Sequence, residues 1–378
     1  MADGPSSKKI VFANQLRGFA VLTVMLEHYV YVYWFARNAV ANQLHAPLMA
    51  GDPSKVAQFF ALPTVNYGPL GVSTFFLISG FVIPLSIEKL GVTRFAIARA
   101  FRIFPTYWAA SAITLFVTYL SARYWGASFE WEGHRVLANL FLVHEALGHL
   151  TIDMVNWTLV IEVMFYVCCC VFLWPFIKRG SVLGIVNFSA LVLAYLTWAP
   201  ASWETLSLSH VQASLVPARL DLMMVCFITL GILFNFHMFG KISLGALASG
   251  CATILVMFLT MWKKTAFANA FPGDAYNYMY GFAIFSTCYA LRSRFRNIKI
   301  VDFFADISYP LYLVHSVTGY TIIRILLDRQ VRYVFAAAVA FSCAVAIAYV
   351  LHKVVEMPSA RYGKRALEAG EPKTPAIA

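Results

Sequence analysis

Charge is scarce in this chain. Of its 378 residues only 12% are Asp, Glu, Lys or Arg, where soluble domains carry about a quarter. With 60% hydrophobic residues and a mean hydropathy of +0.70, the chain cannot cover a soluble globule with polar surface. A polytopic membrane protein is implied instead. Acidic residues are scarcer still, 18 against 29 lysines and arginines, for a net charge of +11. Nucleic-acid binding needs a basic face on a soluble module. None is visible, so no nucleic-acid partner is expected and the surplus is read as a topology signal. Zinc spacing is missing among the seven cysteines, Cys168, Cys169, Cys170, Cys226, Cys251, Cys288 and Cys343. They sit in apolar stretches and read as small packing residues, with no metal site expected. The first apolar run lacks a small-residue cleavage site and keeps Arg17, so an anchored helix is expected rather than a removed signal peptide. There is no internal repeat, and no soluble domain is expected before or after the bundle.

What is present is a series of apolar runs. Ten are close to bilayer length, at 10–36, 67–87, 104–121, 156–177, 181–200, 217–237, 242–262, 277–291, 303–323 and 333–355. The expected fold is therefore all-α, a polytopic transmembrane helix bundle of about ten spans, forming one domain over 1–365 with a polar tail at 366–378. Placing the N-terminus inside puts most of the 29 lysines and arginines on the cytoplasmic side, which favours N-in and C-in. The expected location is the cell membrane, the inner one in a Gram-negative cell. The longest outer segments are then 37–66 and 122–155. The second contains VLANLFLVHEALGHL, which reads as an interfacial helix with His144 and His149 as surface or packing residues.

Ionisable residues within the spans are few: Arg17, Glu27, His28, Glu162, Asp221 and His315. Such residues pair with one another or line a wet cavity. Arg17 and His28 are eleven residues apart, about 1100° of helix and so nearly three full turns, which puts both on one face roughly 16.5 Å apart. One end of that helix suits an anion and the other acid–base work, the layout of a membrane enzyme with a long charged substrate. His28, Glu162, Asp221 and His315 all fall in the outer half at similar depth. A carboxylate beside an imidazole raises its basicity, as in a general base; the other reading is a polar knot that sets helix rotation. Glu27 points about 100° away from His28 and reads as structural. Between the second and third spans, Arg94, Arg99 and Arg102 lie in TRFAIARAFRIFPTYW. Arg99 and Arg102 share a helical face, suited either to gripping a phosphate or to anchoring on anionic lipid.

In order along the chain, Arg17-x10-His28, STFFLISGFVIP (73–84), Arg99-Ala-Phe-Arg102, NWTLVIEVMFY (156–166), ISYPLYLVH (307–315) and the VEMP around Glu356 resemble the motifs of the acyltransferase type-3 family. The resemblance implies transfer of an acyl group, most often acetyl, from cytoplasmic acyl-CoA to a hydroxyl of an exported carbohydrate. Acceptors of that kind are a surface polysaccharide, an O-antigen or a lipo-oligosaccharide. Acetyl-CoA is the donor substrate and no bound cofactor is implied; the partners are acyl-CoA, a carbohydrate or lipid-linked glycan acceptor and membrane lipids. On this reading Arg17, Arg99 and Arg102 hold the nucleotide phosphates. His28 deprotonates the acceptor or takes the acyl group first, and Glu162 orients it. His315, Asp221, Tyr309 and Trp157 line the acceptor site. Two rivals stand beside it, a macrolide-type small-molecule O-acyltransferase and a multi-pass proton-coupled transporter or flippase.

Overall fold

The computed structural model describes residues 10–199, 205–208, 211–214, 216–265, 268 and 272–369. Each expected span falls on a helix. These are α1 (Val11–Leu26), α2 (Tyr67–Leu90), α3 (Val92–Trp125), α4 (Trp157–Cys168), α5 (Val182–Trp198), α6 (Val216–Met238), α7 (Leu244–Trp262), α8 (Gly273–Ala290), α9 (Ser308–Asp328) and α10 (Tyr333–Leu351). Among the described residues seven helices are long and apolar enough to cross a membrane, and eight if the bent first helix counts as one span. Helix α5 is shorter, at 17 residues, and α8 is not one of the seven. The protein is a multi-pass membrane protein by these helices. Among the described residues the fold is helical apart from one hairpin, β1 (Thr205–Leu208) paired antiparallel with β2 (Val211–Ser214); the Ser214 amide ties it to the Ala146 carbonyl at 2.7 Å.

Three local departures from the expected pattern shape the site. The first helix does not run straight to residue 36. After Leu26 it widens into a π turn over Glu27–Val32, in which the Tyr33 amide reaches back to the His28 carbonyl. It then bends by 99° between Phe35 and Arg37. Such widened turns leave carbonyls for other donors, and here the Tyr333 hydroxyl donates to the Tyr29 carbonyl at 2.6 Å. The third helix begins at Val92, so Arg94, Arg99 and Arg102 belong to the same 34-residue helix as the span that follows, continuous through Pro105. The expected interfacial helix at 136–150 is only partly formed. Gly133–Leu140 is helical, and Leu142 then takes a left-handed φ of 58°. Asn139 causes the break, because its amide donates to Leu150 O and accepts from the Ile152 amide, folding 141–156 into turns. His144 is wholly buried there.

Helix α2 is the axis of the bundle, packed by α1, α6 and α8. With little hydrophobic drive between helices in lipid, close contact needs small residues. A Cβ at Gly80 would collide with the Ile228 carbonyl, and one at Gly231 with the Leu77 carbonyl, so the two glycines let α2 and α6 cross backbone to backbone. Helix α9 is the second buried element, held against α10, α3 and α1. The helices α1, α2, α3, α4 and α9 enclose the site. The expected boundary at 365 falls inside a helix, Met357–Ala369; the rest of the expected tail, 370–378, lies outside the described residues.

Candidate active site

One deep cavity of about 100 Å³ opens among α1, α2, α3, α4 and α9, and Arg17, Arg99, Arg102 and Glu162 are all in its wall. Helix α1 supplies Arg17, and α3 supplies Arg99 and Arg102 one turn apart. Arg99 lies over the rings of Phe95 and Tyr166, at 5.3 and 5.6 Å. Glu162 on α4 accepts hydrogen bonds from the Tyr166 hydroxyl and from Ser79 at 3.3 Å. Three guanidiniums against one carboxylate leave the cavity with excess positive charge. Its remaining wall is mainly apolar, with Val72, Phe76 and Leu159 beside Ser79 and Thr158, and it includes Tyr312. The Thr158 hydroxyl donates to the Tyr312 hydroxyl at 2.8 Å, and the Tyr312 ring packs 5.7 Å from the His315 ring.

Beyond Tyr312 lies a second cluster. The rings of His28 and His315 meet edge-on at 4.8 Å. His315 is fully buried and its Nδ1 donates to the Tyr312 carbonyl at 2.8 Å. That bond fixes its tautomer and leaves Nε2 a bare, unpartnered acceptor. His28 remains partly accessible, with Nδ1 bonded to the hydroxyl of Tyr320. The Tyr29 hydroxyl donates to the His315 carbonyl at 2.9 Å, a contact that only Gly319 leaves room for. Close by, Ser316 donates to both carboxylate oxygens of Asp153, at 2.5 and 2.6 Å. Asp153 is only 2% exposed, and burial pushes its carboxyl up to about 6.

Compared with known families, residues 10–353 match the type-3 acyltransferase domain. The chain belongs to this acyltransferase family. No curated protein and no solved structure matches it. In this acyltransferase the expected residues separate into two groups. Arg17, Arg99 and Arg102 share one cavity wall, and His28 meets His315. Glu162, however, is not beside His28. It lies five residues into α4, at the level of Arg17 and not of His28, and its hydrogen bonds go to Tyr166 and Ser79. Tyr309 also belongs to the arginine cavity, its hydroxyl donating to the Ile103 carbonyl at 2.9 Å. Asp221 is buried on α6 with Glu145 as its electrostatic neighbour. Trp157 is absent from the cavity wall. Glu27 is structural, as expected: its carboxylate accepts from the Tyr67 amide at 3.1 Å and caps α2. Tyr320 and Asp153 are the residues that sequence reasoning missed. Tyrosine is not counted among charged residues, and Asp153 sits in a segment read as an outer loop, which instead dips to the depth of His315.

Proposed function

We propose that this acyltransferase is an O-acetyltransferase that moves the acetyl group of cytoplasmic acetyl-CoA to a hydroxyl of an exported carbohydrate. The observation that carries the reading is the layout along one axis: three arginines in one cavity, a mainly apolar wall that includes Tyr312, and an imidazole pair beyond it. Arg17, Arg99 and Arg102 hold the nucleotide phosphates by charge-assisted bonds. Glu162 and Tyr166 keep those guanidiniums in place. The pantetheine arm follows the apolar wall towards Tyr312. His28 Nε2 takes the proton of the acceptor hydroxyl as its oxygen attacks the thioester carbonyl. The C–S bond then breaks, and CoA leaves as a thiolate that takes up that proton. Tyr320 holds the His28 ring in orientation through Nδ1. This path needs the arginine end at the cytoplasm, and the lysine and arginine bias supports that orientation, with N-in, C-in and ten crossings.

The decisive comparison is acetyl-CoA against acetyl-pantetheine, which lacks the nucleotide. Arg99→Gln and Arg102→Gln are expected to raise the acetyl-CoA KM at least tenfold and to leave acetyl-pantetheine unaffected. Equal effects on both donors, or none on either, would make the pair a lipid anchor and remove the phosphate assignment.

A further inference from the structure

We infer that the end of the bundle opposite the arginine cavity carries an oxyanion subsite for the acceptor, formed by Arg37, Arg324 and the Tyr33 hydroxyl. The inference rests on the proposed role of His28 and names the class of acceptor that His28 serves. The first helix breaks between Phe35 and Arg37, and the break turns Arg37 inward. Its Nε donates to Trp34 O at 2.8 Å and its Nη1 to the carbonyls of Met49 and Gly51, at 3.3 and 2.5 Å. Arg324 comes from α9. Its guanidinium lies 4.6 Å from the Trp125 ring and its Nη2 donates to Pro47 O at 3.3 Å, while its buried Nε has no partner. Tyr33 is 1% exposed, and its hydroxyl also has no partner.

These three side chains line one slot of about 10 Å³, room for a single water-sized oxygen. Among the described residues neither guanidinium is ion-paired with a carboxylate. Two fixed cations and an orphaned hydroxyl around space for one oxygen complement a carboxylate or phosphate. Arg37 and Met49 also border an open hollow of about 590 Å³ shared with Trp34, Phe35 and Asn38. Phe35 is 45% exposed there, an aromatic platform for the apolar face of a sugar ring. The slot is coupled to His28 through rings: Tyr33 packs 6.2 Å from Tyr320, whose hydroxyl binds His28. Tyr33 is five residues beyond His28, roughly 7 Å along the helix. The slot and the hollow beside it therefore lie within about one sugar ring's width of His28 along the helix axis.

The test is acetyl transfer by the full chain in phosphatidylcholine nanodiscs, with methyl glucuronoside, glucose 1-phosphate and methyl glucoside as acceptors. Both anionic acceptors are expected to show a KM at least tenfold below that of the glucoside. Arg37→Gln and Arg324→Gln should erase that preference and Tyr33→Phe should weaken it, all with an unchanged acetyl-CoA KM. Equal KM values in wild type, or a preference that survives in the variants, would overturn the subsite and leave His28 untouched. Phosphatidylglycerol that competes in wild type and not in Arg324→Gln would keep the oxyanion site and make its source a lipid headgroup. If no acceptor is acetylated, the donor–acceptor pairing fails and melting shifts judge the slot alone. A shift by glucose 1-phosphate and not by glucose supports it when lost in Arg37→Gln/Arg324→Gln and kept in Arg99→Gln/Arg102→Gln. The reverse pattern, or no shift, overturns it.

Discussion

At the scale of single residues the chemistry depends on which groups share a layer. His28 takes its partners from α9, Tyr320 through Nδ1 and His315 edge-on. Tyr320→Phe removes one hydrogen bond and keeps the ring, so turnover is expected to fall about 10–100-fold, less than the roughly 100- to 10,000-fold that a general base supplies. Acetyl-CoA affinity should stay constant while the pH–rate profile moves; a profile identical to wild type would reduce Tyr320 to packing. Asp153 yields a prediction on stability. Its folded-state value, about 6, lies above the ordinary carboxyl value of 3.8, so its stabilising contribution is present below about pH 4 and lost as pH rises through about 6. Asp153→Asn, neutral throughout, should therefore melt higher than wild type above pH 6, with the gap closing as pH falls towards 4. His144 works the opposite way. Burial lowers it to about 4, and its contribution is present above about pH 6.5 and lost as pH falls through about 4. The difference between wild type and Asp153→Asn separates the two. Of this layer, the sequence revealed His28 and His315, because a histidine in an apolar run is conspicuous. Tyr320 escaped because an aromatic there is ordinary, and Asp153 because depth was counted from span ends.

At the scale of elements, spacing predicted helices well and their irregularities poorly. The helix between Arg17 and His28 is regular α only as far as Leu26, and His28 itself sits in the π turn that follows. The π turn and the 99° bend after it depend on tertiary partners such as Tyr333, which no local pattern announces. The Glu162 error has the same origin: residues at similar nominal depth need not share a layer once helices tilt and a loop enters the bundle. Helix α3 absorbed its basic segment because TRFAIARAFR has no breaker between Gly91 and Pro105, and a proline in place does not end a helix supported by neighbours. Glycine crossings make an element-scale test. Gly80→Ala drives a Cβ into the Ile228 carbonyl, and overpacking of this kind costs about 1–3 kcal/mol. Melting in detergent should drop accordingly, whereas Gly133→Ala, with open space around its Cβ, should leave it unchanged.

At the scale of the whole molecule, the arginine cavity and the histidine pair are two separate clusters, with Tyr312 between them. Composition alone was enough for a membrane helix bundle, and six short motifs in order were enough for the family that residues 10–353 match. The end opposite the arginine cavity was invisible in the sequence, since Arg37 and Arg324 are 287 positions apart and only the bend and α9 bring them to one slot. Orientation is testable with a membrane-impermeant maleimide: Ser54→Cys should label from outside and Gly240→Cys only after permeabilisation. The measurement that bears most directly on the central claim is acceptor-dependent release of CoA from acetyl-CoA by purified wild type and His28→Ala, with acetyl-CoA binding measured on both. The account predicts that the variant binds acetyl-CoA as wild type does and loses at least a hundredfold in turnover. A His28→Ala protein that still releases CoA at the wild-type rate would contradict it.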